Sequence, residues 1–289
     1  MRLAFLGTPE AAVPSLEALV GAGHDVALVI SQPDRRRGRG NDVSASPVKA
    51  AALALGLNVA DDLAAIEGVE VDLGIVVAYG AMIPAATLAR TPMLNVHFSL
   101  LPRWRGAAPV ERAILAGDEE SGVGIISLEI SLDTGPLHAE RRTDIGEKPS
   151  SELTAELAQM GAELLVEVLA SPDQLAHPRA QAGESTYAAK LTPDTFHVTT
   201  DMTPAQALRV VQLERAFVKV QGRRLRILRA APCAVAVRTG SLRAEGPVLA
   251  LGLTGGALEL IWVQPEGSRT MSGAGWWAGA RLGEDVEWE

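Results

Sequence analysis

Asn95 and His97 stand two residues apart in the apolar, strand-like run 94–98. On a strand that spacing turns both side chains to one face. An amide donor beside an imidazole can polarise a carbonyl and hold the oxyanion that forms when a nucleophile adds. The imidazole can also relay a proton near neutral pH. The same pair also reads as two hydrogen-bonded structural residues at a strand end. A carboxylate follows at Asp133, in the string SLDTGP (131–136). Asp-Thr-Gly-Pro is good chemistry for an ordinary Asx turn. It could instead orient His97 and collect the proton of an attacking amine. Between these groups lie two unusually specific strings, SLLP (99–102) and RWRGAAP (103–109).

The elements that must position these residues read as repeated βα units. Leu3 to Leu6 is a short apolar strand, Gly7 turns the chain, Thr8 is placed to cap a helix and Pro9 suits its first position. A second strand spans 26–31, an Arg-rich loop 32–46, and Pro47 opens a helix over 47–55. Residues 72–78 are almost unbroken apolar, as in a central parallel strand buried on both faces. With 94–98 as the next strand, the pattern predicts an open, mostly parallel α/β sheet, Rossmann-like. A ligand site is then expected at the carboxyl ends of its strands. Residues 123–130 and 137–142 look like an antiparallel pair, and 150–169 like an amphipathic helix. Residues 170–200 are rich in Pro, Ser, Thr and Gly and read as a linker. A helix over 203–213 precedes short β runs at 218–220, 225–228, 235–237, 248–251 and 258–263, which predict a small β-barrel. The expected domains are therefore 1–170, catalytic, and 203–289, joined by 171–202.

Composition bounds the function. The 289 residues are 47% apolar and 21% charged, with net charge −9. A lone cysteine, Cys233, expected to be buried, excludes a disulfide framework and a multi-cysteine metal site and points to a reducing compartment. The histidines 138, 177 and 197 show no ligand spacing, so no metal is expected. The opening residues carry no secretory pattern, and the longest uncharged stretch, 73–89, is broken by Gly74, Gly80 and Pro84. A cytoplasmic protein without a membrane span is expected. The first βα turn holds only Gly7, and Gly38-Arg39-Gly40 lacks a third glycine and a preceding strand, so NAD and ATP are unsupported. Charge is uneven: residues 209–243 hold nine basic groups against one acid, +8, leaving −17 elsewhere. This is either a polyanion-binding face or a solvated surface of an Arg-rich chain. Trp276 and Trp277 read as packing anchors.

These strings together resemble the methionyl-tRNA formyltransferase family of 10-formyltetrahydrofolate-dependent enzymes. The matches run in order along the chain: LGTPE (6–10), SQPDRRRGRG (31–40), SPVK (46–49), VVAYGAMIP (76–84), NVHFSLLPRWRGAAP (95–109), AGDEESGV (116–123), LDTGP (132–136), YAAKLTPD (187–194) and ELIWVQPEGSRTMSGAGWWAGAR (259–281). The resemblance implies an Asn95, His97, Asp133 site that passes a formyl group from 10-formyltetrahydrofolate to methionyl initiator tRNA, releasing tetrahydrofolate. It implies that Ser99, Leu100, Leu101 and Pro102 border the folate, with Val76, Ala78, Tyr79, Gly80 and Ile83 around the pterin. It implies that loop 33–47, with Arg35, Arg36, Arg37 and above all Arg39, reaches the tRNA acceptor end. It also implies an OB-like C-terminal barrel whose basic face, with Arg223, Arg224 and Arg226, contacts the tRNA. A monomer is expected.

Two stretches depart from the family pattern. An Asp-Trp pair usually follows the equivalent of 187–194, where this chain has Phe196-His197-Val198-Thr199-Thr200. A Pro-Trp-containing stretch usually follows the equivalent of Ala216-Phe217, here running almost directly into Val218. The segment 59–71 is also short. Formyl transfer to a small amine such as an amino sugar, hydrolysis of formyltetrahydrofolate, and noncatalytic binding of tRNA or folate stay open at this point.

Overall fold

The computed structural model of the chain describes residues 1–36, 43–283 and 285–289. Arg37 and Arg39 lie outside the described residues. The chain divides into two compact units: Met1–Val110 with Glu120–Asp144 and Leu153–Ala189, and Glu111–Glu119 with Ile145–Glu152 and Lys190–Glu289. The segment read as a linker is thus shared between the units, and it carries structure of its own.

In chain order the first elements are β1 (Arg2–Gly7), α1 (Val13–Gly21), β2 (Asp25–Ile30), β3 (Arg35–Arg36), β4 (Val43–Ser44), α2 (Pro47–Ala54), β5 (Val59–Ala60), β6 (Leu73–Val77), α3 (Ala85–Arg90), β7 (Met93–His97) and β8 (Arg105–Gly106). After α4 (Pro109–Ala116) come β9 (Glu120–Ser127), β10 (Leu137–Asp144), α5 (Ser150–Ala170), α6 (Pro172–Ala176) and β11 (Tyr187–Ala188). One sheet has the order β10-β9-β7-β6-β1-β2-β5. The five strands from β7 to β5 run parallel, and β9 and β10 add an antiparallel edge. The chain steps from β1 outward through β2 to β5, then resumes on the other side of β1 with β6. That reversal opens a crevice at the carboxyl ends of β1 and β6, where open α/β sheets take their ligands. Gly7 pairs with Val77 there, and Val76 pairs with Asn95 of β7.

The parallel strands are mostly apolar because both faces are covered; every residue of β6 and β7 is buried, Asn95 and His97 of β7 included. Leu153, Leu157, Leu164, Leu165 and Val168 form the buried stripe of α5. The helix lies close on β7: a Cβ on Gly161 would fall 2.7 Å from Val96 Cγ1. Val96 therefore points to α5, and Asn95 and His97 point the other way.

Thr8 departs from its expected role. A 3-10 turn over Glu10–Ala12 precedes α1, Pro9 is its cap residue, and α1 starts only at Val13. The Thr8 hydroxyl instead donates to the Tyr79 carbonyl at 2.9 Å and accepts from the Gln32 N–H at 3.3 Å. It ties together the turns that follow β1, β2 and β6.

The second unit holds α7 (Pro204–Gln212), β12 (Phe217–Val220), β13 (Arg223–Cys233), β14 (Ser241–Glu245), β15 (Val248–Leu253), β16 (Gly256–Pro265), β17 (Met271–Ser272), α8 (Gly273–Ala280) and β18 (Val286–Glu287). Thr203 and Gln206 form a capping box for α7, with Pro204 in its first turn. The antiparallel order is β12-β13-β16-β15-β14-β18, with β17 on β16. A bridge between Val220 and Trp288, and paired backbone bonds between Lys219 and Glu289 at 2.6 and 2.8 Å, bring the two edges together. The sheet is thereby a nearly closed barrel around Val218, Leu225, Ile227, Leu249, Leu251 and Leu258. Trp276 and Trp277 pack against this core, as their reading as anchors requires.

Two barrel expectations are corrected. Residues 235–237 form no strand; the strand is Ser241–Glu245. Its alternation is weak because Leu242 and Ala244 are its only apolar residues, while Ala234 to Val237 are apolar without a pairing partner. The run at 225–228 extends through Pro232 to Cys233. Pro232 is tolerated because β12 pairs only with Arg223 to Arg226, leaving that end of β13 at an edge. Cys233 lies at this edge and is half-buried rather than enclosed.

Candidate active site

Asn95, His97 and Asp133 come together in the first unit, and all three are buried. The Asn95 amide lies 3.5 Å from Asp133 Oδ1, at the outer limit of a hydrogen bond. His97 Nδ1 lies 3.7 Å from Asp133 Oδ2, an electrostatic contact between nearly enclosed groups. The short bond to the imidazole comes from elsewhere: His97 Nε2 lies 2.9 Å from the Trp104 carbonyl. A carbonyl only accepts, so Nε2 carries the ring proton of the neutral imidazole. Nδ1 is then bare and faces the carboxylate. A proton taken up at Nδ1 faces the Asp133 carboxylate across 3.7 Å, while the Trp104 carbonyl keeps the ring fixed.

Backbone geometry holds the carboxylate in place. Asp133 has φ +52° and Trp104 φ +64°, both left-handed. Such conformations cost on the order of 1–3 kcal/mol each and persist where neighbours hold them. The Gly106 N–H donates to Asp133 Oδ2 at 2.8 Å. Gln181 Nε2 donates to the carbonyls of Asp133 and Gly135, each at 2.8 Å. Arg105 in turn donates to Gln181 Oε1 from Nε at 3.1 Å and Nη2 at 2.7 Å. The Trp104 N–H donates to Thr186 Oγ1 at 2.8 Å, and β8 pairs in parallel with β11. Sequence reasoning missed Gln181 and Thr186 because they lie in the stretch with no apolar period. It missed the Trp104 carbonyl because backbone acceptors leave no signature in side-chain type.

The residues expected around a folate are adjacent. Val76 is the register partner of Asn95. Beyond β6, Ala78 (φ +45°) and Gly80 (φ +83°) make an exposed, left-handed turn around Tyr79, which is buried with Ile83. Burial, then the nearby Asp62 charge, pushes the Tyr79 phenol above its ordinary pKa. After β7, Ser99 is buried and its hydroxyl donates to the Arg103 carbonyl at 2.7 Å. Leu100 is half-buried, and Leu101 packs with Ile126 and Leu137. Pro102 follows a cis bond, and the Arg103 guanidinium lies 4.5 Å from the centre of the Trp104 ring. Apolar walls beside exposed backbone amides suit a flat heteroaromatic ring with hydrogen-bonding edges.

The basic residues divide differently. Arg35 and Arg36 form β3, paired with β4. In the second unit, Arg224 lies 4.1 Å from the centre of the Phe217 ring. Arg226 is committed internally, to Gln264 Oε1 at 2.9 Å and the Glu214 carbonyl at 3.2 Å. Arg223 and Arg224, with Trp276, line a cavity of about 370 Å³. Among the described residues no three His, Cys, Asp or Glu side chains gather as a metal site, and no helix is long and apolar enough to cross a membrane.

This fold and this site define a formyl transferase: the family model of that description matches residues 1–169. A methionyl-tRNA formyltransferase of Novosphingobium aromaticivorans is 43% identical over 293 residues, covering 95% of each chain. The chain belongs to the methionyl-tRNA formyltransferase family. Solved structures share the fold at low identity. A methionyl-tRNA formyltransferase from Clostridium thermocellum is 15% identical, with TM-score 0.57 over 94% of this chain and 100% of that one. WlaRD, a sugar 3N-formyl transferase solved in the presence of dTDP and 5-N-formyl-THF, is 15% identical, with TM-score 0.70 over 93% and 99%.

Proposed function

We propose that the protein transfers the formyl group of 10-formyltetrahydrofolate to the α-amine of methionyl initiator tRNA. The observation that carries this reading is the convergence of Asn95, His97 and Asp133 at the carboxyl end of β7, in a chain of this family. The folate is a substrate that supplies an activated formyl carbon. Val76, Ala78, Tyr79, Gly80 and Ile83 border its pterin, and Ser99 to Pro102 the adjoining part. Among the described residues none is placed as an activated nucleophile, and the attacking group is the acceptor's amine.

Each site residue has one task. Asn95 donates its amide N–H to the formyl oxygen as negative charge develops there. His97 stands beside it and donates there once Nδ1 has taken up a proton. Asp133 takes the proton shed by the attacking amine and passes it to the bare Nδ1 of His97, and Nδ1 hands that same proton to the departing folate nitrogen, which leaves the carboxylate ionised and the ring neutral again. Holding the two reactants in line supplies much of the rate, with no metal required. Arg35, Arg36, Arg37 and Arg39 grip the acceptor end of the tRNA. Arg223 and Arg224 contact its backbone from the barrel; Arg226, committed within the barrel, contributes less. The enzyme acts as a cytoplasmic monomer.

The deciding experiment incubates purified protein with 10-formyltetrahydrofolate and methionyl initiator tRNA and scores formyl-methionyl-tRNA, with His97→Ala alongside. Product from the wild type that vanishes in the variant supports the reading. Folate consumption without tRNA product would replace it with transfer to a small amine, or with hydrolysis if no amine is needed.

A further inference from the structure

Gln181 lies 48 residues beyond Asp133, in a segment that neither the motifs nor the catalytic chemistry engage. We infer that it is a positioning residue: its amide fixes the Asp133 turn and its carbonyl oxygen fixes the Arg105 loop, so that one side chain sets both sides of the site. The inference rests on the formyl-transfer reading above.

The geometry is specific to an amide. Nε2 spends both hydrogens, on the carbonyls of Asp133 and Gly135 at 2.8 Å each. Oε1 accepts two bonds from one guanidinium. Around Gln181 the chain forms a strap. Arg179 exchanges both backbone bonds with Leu137 at 2.7 and 2.9 Å, Thr186 Oγ1 accepts from Trp104, and β11 pairs with β8. The strap therefore reaches from the turn that carries Asp133 to the loop whose Trp104 carbonyl holds His97 and whose Gly106 N–H holds Asp133. Asp133 sits at φ +52°, a conformation that requires outside support, and the Gln181 amide supplies it at the residue's own carbonyl. Releasing that carbonyl frees the carboxylate to swing from Gly106 and from His97 Nδ1.

Gln181→Glu separates positioning from mere packing. It keeps an oxygen for Arg105, indeed a charged one, but has no hydrogens for the two carbonyls. Gln181→Ala removes both functions. Two hydrogen bonds of ordinary strength predict a fall in kcat of about thirtyfold for both variants. KM for folate and for tRNA should stay within about threefold, because the Gln181 amide spends its bonds within the protein. Gln181→Glu should melt above Gln181→Ala, since Arg105 keeps its partner. Wild-type kcat in Gln181→Glu would overturn the inference, as would a loss that appears in KM alone. Should Gln181→Ala fail to fold, Gln181→Glu decides. Inactive wild-type protein would sink the formyl-transfer reading and this inference with it. Active wild type with indifferent variants would sink only the inference.

Discussion

Replacing Asp133 by Asn tests the proposed chemistry at its centre, because the change is isosteric and removes only charge and one acceptor. The new side chain must still satisfy the Gly106 N–H, which lies 2.8 Å from Oδ2, so its oxygen turns there. Its Nδ2 then takes the place of Oδ1, which lies 3.5 Å from the Asn95 amide. Two NH2 groups now face each other. Asn95 relieves the clash by rotating its own amide, which turns a carbonyl oxygen to the place where the formyl oxygen needs a donor. One substitution thus removes the proton acceptor, worth about 10²- to 10⁴-fold, and the oxyanion donor, worth about 10²- to 10³-fold. These losses overlap, and a fall in kcat of at least about 10³-fold is expected, near 4 kcal/mol of barrier. Asn tolerates the left-handed backbone at this position, so the fold should survive.

The assay is single-turnover formylation with saturating folate, run on the wild type, Asp133→Asn, Asn95→Ala and the double variant, each with a thermal melt. If Asp133→Asn already turns the Asn95 amide, adding Asn95→Ala should cost less than about threefold more. In the wild-type background Asn95→Ala should cost about 10²-fold or more. An Asp133→Asn enzyme within tenfold of wild type, with an unchanged melt, would refute the proton-acceptor role. Full additivity in the double variant would refute the coupling through the Asn95 amide.

Three further outcomes are expected. Gly106→Ala should lower kcat at least tenfold and lower the melting temperature, because the residue sits at φ +127° and a Cβ would lie 2.7 Å from the Ala188 carbonyl oxygen; kinetics and a melt check it, and wild-type values for both would contradict it. Lys49 Nζ lies 3.1 Å from Asp34 and 3.2 Å from Asp61, and hydrogen bonds, first to Asp34 and then to Asp61, raise its pKa above 10.5. The folded state then holds this proton longer than the unfolded chain, so the contribution is complete below about pH 10.5 and is lost as pH rises through the folded value. Denaturant melts across that window should show a steeper alkaline loss in the wild type than in Lys49→Met; parallel curves would contradict it. Arg223→Ala and Arg224→Ala should each weaken tRNA binding and reduce its salt slope by about one, with kcat unchanged at saturating tRNA; a salt-independent affinity would argue against docking through the barrel.

Much of this architecture is legible in the sequence because burial writes itself into residue type. The almost unbroken apolar run that became β6 has the pattern of a strand covered on both faces, and the two-residue spacing of Asn95 and His97 on β7 puts them on a common side. The amphipathic period of α5 and the Thr203-Pro204 start of α7 were equally plain. What escaped was set by hydrogen bonds rather than burial. Thr8 has the chemistry of a cap, and local sequence could not tell that the carbonyl of Tyr79, 71 residues away, would claim its hydroxyl. The strand Ser241–Glu245 was hidden because a barrel strand facing water on one side needs only one or two apolar residues.

The histidine shows how far such hidden bonds reach into chemistry. Residue types alone put an imidazole beside a carboxylate and suggest that the carboxylate orients the ring. The short bond to the Trp104 carbonyl assigns that task to the backbone instead and leaves Nδ1 and Asp133 facing each other across 3.7 Å. A carboxylate freed from orienting the ring is available to receive a proton. The ring, locked from the other edge, can gain and lose a proton at Nδ1 without turning. The division of labour follows from which carbonyl the loop 103–106 presents. That loop is held by Arg105, Gly106 and the strap that carries Gln181. Under the proposed mechanism, proton transfer at β7 depends on a segment more than eighty residues downstream, and substitutions in that strap should be read first as changes to His97 and Asp133.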